Sequence, residues 1–227
     1  HTRRGWLWKN PVHEALNPVG QKDVIARCPG LHVHHHADDT KSRAHYLDLL
    51  RLSVMEDKEN PRNFYYYARE LFNYNKLDEA FAQFEIYLGM PKATFPAERS
   101  EAYKYLSLIY QRKGDIIEAL RMARQSVVED PNRRESWLRL AQVCQNTARW
   151  HEAFAAAMSC VGITKRTGTF LDTAEAWGSE PQHILGVSEW RLGMIENSLI
   201  HLTEAVREDP GNEKLRRDFV TVRSSMP

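Results

Sequence analysis

Between Ser100 and Lys165 the chain repeats itself at a fixed offset of 34 residues. Tyr103 recurs as Trp137, Leu106 as Leu140, Glu118-Ala119 as Glu152-Ala153, Ala123 as Ala157, and Ser126-Val127 as Cys160-Val161. A unit of that length cannot bury an apolar face alone, so its copies must stack on one another. Tyr103, Leu106 and Tyr110 fall at helical spacing, as do Ile116, Ala119, Leu120 and Ala123. Between these runs Lys113-Gly114-Asp115 supplies a glycine for a left-handed C-cap and an aspartate for an N-cap. Two antiparallel helices per unit follow. The small residues Ser107, Ala119 and Ala123 sit where the pair must approach closely.

The aromatic, the leucine with a small residue beside it, the Glu-Ala step and Pro131 at this period resemble the tetratricopeptide repeat (TPR). The pattern extends both ways. Asn60-Pro61 is a good helix start, and a first unit runs through Phe64, Tyr67, Ala68 and Leu71, then Leu77, Ala80, Phe81 and Phe84. Ala80 precedes Ala119 by 39 residues, so five are extra, and they fit the loop Met90 to Pro96. Ser198 follows Ala153 by 45 residues, eleven too many. The insertion carries Phe170, Leu171, Ala174, Ala176 and Trp177, which is too apolar for a plain linker and predicts packing on the array. Glu213 to Arg223 supplies the polar-faced capping helix that solenoid ends require.

The expected fold is mainly α, a TPR-like α-solenoid of about four helix pairs behind a short β-rich remnant. Residues 1–40 form that remnant, 41–60 a connecting helix, and 61–163 repeats one to three. The apolar insertion spans 164–180, and the fourth repeat with its cap spans 181–227. An amphipathic helix is expected over Ser42–Glu56, with Tyr46, Leu49, Leu50, Ser53 and Val54 on one face.

Thirty-one basic against thirty acidic residues leave no global field, which argues against nucleic acid or anionic membrane as partner. No apolar run is long enough to span a bilayer. Cys28, Cys144 and Cys160 are odd in number and lack framework spacing, which points to a reduced, cytoplasmic protein. The chain opens at His1 in strand-like sequence, as a fragment or a processed chain would.

Residues 1–40 fall outside the period. Trp6-Leu7-Trp8 and Val12 to Leu16 read as strands, with further candidates at Val24–Arg27 and Leu31–His36. His32, His34 and His36 would share one strand face. That run reads as a solvated polar face more readily than as a metal site, since no metal-binding motif accompanies it. The stretch Arg4 to Glu14 (Arg-Gly-Trp-Leu-Trp-Lys-Asn-Pro-Val-His-Glu) resembles the closing motif of family-2 glycosyltransferases with a GT-A catalytic domain. His35 to Arg43, Phe64-Tyr65, Arg69-Glu70-Leu71, Arg134-Glu135-Ser136-Trp137 and Trp177-Gly178 are similar to bacterial and phage members with a TPR tail. The resemblance implies a nucleotide-sugar donor and a divalent metal, manganese or magnesium, held by the complete catalytic domain. It implies His13 as a metal ligand, Glu14 as the catalytic or orienting carboxylate, and Trp6 and Trp8 as walls against the sugar. For the two tryptophans a buried sheet face is an equal alternative. The metal motif and catalytic base of that family have no counterpart here, so this chain alone is expected to be inactive.

The first helix of each repeat lines the concave face of such an array. By register this places Arg62, Tyr65, Arg69 and Phe72, then Lys104 and Gln111, then Gln142 and Gln145 in a partner groove. Polar and aromatic groups in that mixture suit a peptide or protein strand, the glycosyl acceptor included, and homo-oligomerisation is open to it. The chain is therefore either the tail of a sugar-transfer enzyme or a non-catalytic TPR interaction scaffold. A standalone metal protein using the histidine run is the least favoured reading.

Overall fold

The computed structural model describes residues 6–9, 11, 15–18, 30 and 45–225. The chain divides into two compact units, His1–Lys92 and Ala93–Pro227.

The first unit contains strands β1 (Trp6–Lys9) and β2 (Ala15–Pro18), paired antiparallel with Trp8 opposite Leu16. No larger β-rich remnant of an α/β domain is seen among the described residues. Two four-residue strands are too little sheet to enclose a core. Val24–Arg27, Leu31–His36, His13 and Glu14 lie outside the described residues. Helices α1 (Tyr46–Glu56), α2 (Pro61–Asn73) and α3 (Leu77–Gly89) follow, α2 packing on both others. Asn60 caps α2 through its side chain, which accepts from the Arg62 amide, and Pro61 takes the first helical position. Leu50 and Ser53 of α1 are buried, while Leu49 on the same expected face is exposed.

The second unit is a run of helix pairs: α4 (Pro96–Arg112) with α5 (Ile116–Glu129), α6 (Arg134–Asn146) with α7 (Trp150–Gly162), and α8 (Glu180–Arg191) with α9 (Ile195–Glu208). Helix α10 (Glu213–Ser224) closes the run on α9 and α8, capped at Asn212. The leading helices also touch in succession, α4 with α6 and α6 with α8, which lays them side by side as one wall.

Every pair turns through the same device. Asn75, Gly114, Ala148 and Gly193 all have positive φ, between 55° and 82°. At each turn the next residue's amide reaches back to the carbonyl five residues earlier: Lys76 to Leu71, Asp115 to Tyr110, Arg149 to Cys144 and Met194 to Glu189. This is the Schellman arrangement, which satisfies carbonyls that the helix end would leave orphaned. The spacings of 39, 34 and 45 between those residues reproduce the sequence register.

Small side chains set the approach within a pair. Ala119, Ala123, Ala153 and Ala157 are fully buried, and the Ser107 hydroxyl donates to the Ala119 carbonyl at 2.7 Å. The fourth pair repeats the contact with Ser198 donating to the Gly186 carbonyl at 2.7 Å. A Cβ at Gly186 would lie 2.7 Å from Leu202 Cγ, so no larger residue fits there without displacement. Among the described residues apolar clusters form around Leu120, Val143 and Cys144 and around Leu138, Cys160, Ile184 and Leu185. Burial pushes the Cys144 thiol up to about 11 and the Cys160 thiol up to about 12, so both are unreactive at neutral pH. No helix among the described residues is long and apolar enough to cross a membrane.

Candidate functional site

The wall formed by α4, α6 and α8 carries a polar concave surface in the second unit. Gln111 at the end of α4 and Gln142, Gln145 and Asn146 on α6 line one cleft of about 430 Å³. Leu108, Arg112, Arg139, Glu180 and Lys214 complete it. Arg139 anchors the floor. Its guanidinium is buried and donates to Ser107 Oγ at 2.8 Å, to the Ser107 carbonyl at 3.0 Å and to Gln111 Oε1 at 2.6 Å. Burial pulls the Arg139 group down to about 10, and the Glu175 carboxylate opposes that shift. The bond from Arg139 fixes which end of the Gln111 amide faces it. A primary amide both donates and accepts, so three of them along a groove match an extended peptide backbone.

Beside this cleft the eleven-residue excess of the fourth repeat is spent on a strap, residues 163–179. It is irregular apart from a single 3-10 turn at Glu175–Trp177. The apolar residues that predicted packing divide: Leu171 and Ala176 are buried, Trp177 half-buried, and Phe170 and Ala174 exposed. A buried charge cluster grips the strap. Arg133, with no exposed side-chain surface, donates to the Ala97 carbonyl and to the strap's Leu171 carbonyl, each at 2.9 Å. Glu101 and Glu135 flank it, each with a carboxylate oxygen 3.5 Å from Arg133 Nη2, and Lys104 stands 2.5 Å from Glu101. Glu135 also accepts the strap amide of Thr173 at 2.8 Å. Farther along, Gln142 Nε2 donates to Glu175 Oε1 at 2.7 Å. Arg134 reaches the carbonyls of Ile163, Val161 and Ala176 and lies 4.2 Å over the Trp177 ring, with Arg166 5.0 Å from the same ring.

Gln111, Gln142 and Gln145 thus share the cleft, and Lys104 lies under the strap with Glu135, Thr173 and Glu175. In the first unit Tyr65 and Phe72 depart from the expected groove. Tyr65 is fully buried, its ring tilted against Tyr87 at 5.6 Å and edge-on to Phe84 at 6.4 Å. Phe72 is buried as well. Tyr67, expected in the core, is instead half-buried. The physical reason is volume: α2 and α3 meet through rings, and the inward position falls on Tyr65. Arg69 lies 4.8 Å over the Tyr66 ring and Arg62 5.2 Å from it, so both cations border an aromatic face. Trp6 and Trp8 lie on β1. Among the described residues no group of three His, Cys, Asp or Glu side chains is gathered to hold a metal.

Sequence reasoning missed Arg133, Arg139 and Glu175. The consecutive Arg133-Arg134 after the Asp130-Pro131 turn was a visible signal, but their targets lie in the strap, which has no period to place it.

No protein-family model matches the chain, and no curated protein does. Solved structures do. A chain of the anaphase-promoting-complex heterotetramer Cut9–Hcn1 superposes with a TM-score of 0.62 at 13% identity over 78% of this chain. This chain spans about a third (32%) of that one. YrrB, described as a TPR protein with an unusual peptide-binding site, gives 0.61 at 16% identity, covering 77% of this chain and 82% of its own. TTC0263, a thermophilic TPR protein of Thermus thermophilus, gives 0.51 at 16%, covering 78% and 89%. The described helices therefore have the TPR-like fold.

Proposed function

We propose that this chain is a TPR-type docking scaffold whose cleft along α4 and α6 binds an extended segment of a partner protein. The observation that carries this reading is the convergence of Gln111, Gln142 and Gln145 on one cleft floored by the buried Arg139. A solvated helix face has no need of a buried, hydrogen-bonded arginine beneath its amides. The likeness in fold to YrrB adds a precedent for peptide binding on such an array.

Selection from a random-sequence peptide library, followed by calorimetry on the full chain, tests it. A selected peptide should lose about ten-fold in affinity with Gln142→Ala and Gln145→Ala combined, a loss of about 1.4 kcal/mol. Selected peptides that bind the double variant unchanged would place the docking surface elsewhere.

A second reading makes the scaffold the tail of a sugar-transfer enzyme, with His13 on the metal and Glu14 beside it. It is supported by the resemblance of Arg4–Glu14 and by the strand β1, which carries Trp6 and Trp8 as that motif does. In a longer enzyme His13→Ala should abolish sugar-nucleotide hydrolysis and leave the melting curve in place. Full activity in that variant would remove His13 from the reaction.

A further inference from the structure

The strap and the cleft are not independent, because Arg139 and Gln142 border both. Glu175 occupies the shared edge: its carboxylate accepts from Gln142 at 2.7 Å and stands near enough to Arg139 to favour the guanidinium's charged form. Side chains of the wall hold the strap backbone just before its 3-10 turn. A side-chain cation takes the Leu171 carbonyl and a side-chain carboxylate takes the Thr173 amide, two residues apart. Both grips come from buried groups of the wall, Arg133 and Glu135. The anchors at Leu171 and Ala176 are fixed in the core, whereas Ala174 and Glu175 between them are exposed.

We infer that the Glu175 carboxylate is a tethered pseudo-ligand, and that the partner of the cleft is an acidic peptide whose carboxylate takes over its position on Gln142. This rests on the docking reading above. The charge balance of the cleft supports the choice of an acidic occupant. Among the described residues its lining carries Arg112, Arg139 and Lys214 against the single carboxylate Glu180, and the strap adds Glu175 at the edge. An incoming carboxylate meets Glu175 as a like charge on the same amide, so the two compete. The strap therefore sets the threshold for docking: a neutral peptide gains nothing by displacing Glu175, and an acidic one replaces its contacts in kind.

Glu175 is exposed, so its replacement leaves the fold in place. The same random-sequence library is selected in parallel on the wild-type chain and on Glu175→Ala, and a synthetic peptide from the second selection is titrated by fluorescence anisotropy. The peptide should contain a Glu or Asp at one preferred position and bind Glu175→Ala about ten-fold more tightly than wild type. Glu175→Gln, which keeps an acceptor for Gln142 without the charge, should fall between the two. Amidation of the peptide's acidic side chain should erase the difference between the forms. Equal affinity for wild type and Glu175→Ala overturns the competition, even where the peptide sits in the cleft. Selected peptides without an acidic position, or no selection from either form, overturn the choice of partner. Peptides whose binding ignores Gln142 and Gln145 overturn the docking reading itself.

Discussion

Helices α2 and α3 are held together by rings, whereas α4 to α7 are held together by small residues. In the first pair Tyr65, Phe84 and Tyr87 meet at 5.6–6.4 Å and are fully buried. In the later pairs Ala123 and Ala157 stand at the register position of Phe84, while Ala119 and Ala153 are fully buried like Ala80 of the first pair, with the Ser107 hydroxyl on the Ala119 carbonyl. The turns are alike, and the pairs differ in side-chain volume at that position. That difference decides what is left for the surface. Rings large enough to fill one pair draw Tyr65 and Phe72 inward, while small residues let the amides of Gln111, Gln142 and Gln145 stay at the rim.

That contrast makes opposite substitutions harmful in the two places. Tyr65→Ala should cost about 3–5 kcal/mol in a urea melt, because it empties the ring cluster. Ala119→Leu should cost about 1–3 kcal/mol, because the close approach has no room for it. If Ala119→Leu melted as wild type, the assignment of small residues to the helix contact would fail. A third change acts on a turn. Ala148 holds φ at 55°, where Gly114 and Gly193 hold 82°. A left-handed alanine costs about 1–2 kcal/mol, partly offset by the greater unfolded freedom of glycine, so Ala148→Gly should stabilise by up to about 1 kcal/mol. A lower melting temperature in that variant would contradict the strain.

The smallest effect expected is pH-dependent. Arg99 donates to both oxygens of Glu129 at 2.8 Å, and these bonds hold the Glu129 carboxyl below its ordinary range. A depressed folded pKa gives stability that is present above the unfolded value, about 4.3, and lost as pH falls through the folded one. The melting-temperature gap between wild type and Glu129→Gln should be complete at neutral pH and close below about pH 4. A gap that persisted in acid would mean that the substitution acts through packing.

Period and turn chemistry made the helix pairs of the second unit legible. Gly114 and Asp115 announced their roles in the sequence. Ala148 did not, since nothing local to an alanine predicts positive φ. The amides of the cleft were legible because they recur at helical spacing on successive leading helices. Tyr65 and Phe72 were misplaced because a helix register alone does not distinguish the groove face from the partner-helix face when aromatic residues fall on both. The strap was visible only as an apolar excess of length. Its contacts with Arg133, Glu135 and Gln142 span more than thirty residues and obey no period.

The central claim is that the α4–α6 cleft is where a partner docks. The most direct test is to follow the side-chain amide resonances of Gln111, Gln142 and Gln145 by NMR while a library-selected peptide is titrated into the full chain. Docking in the cleft predicts that these amides shift together and saturably, and that Ile117 and Val128, exposed on the neighbouring helix α5, stay in place. Shifts confined to Ile117 and Val128, with the three glutamine amides unmoved, would contradict it.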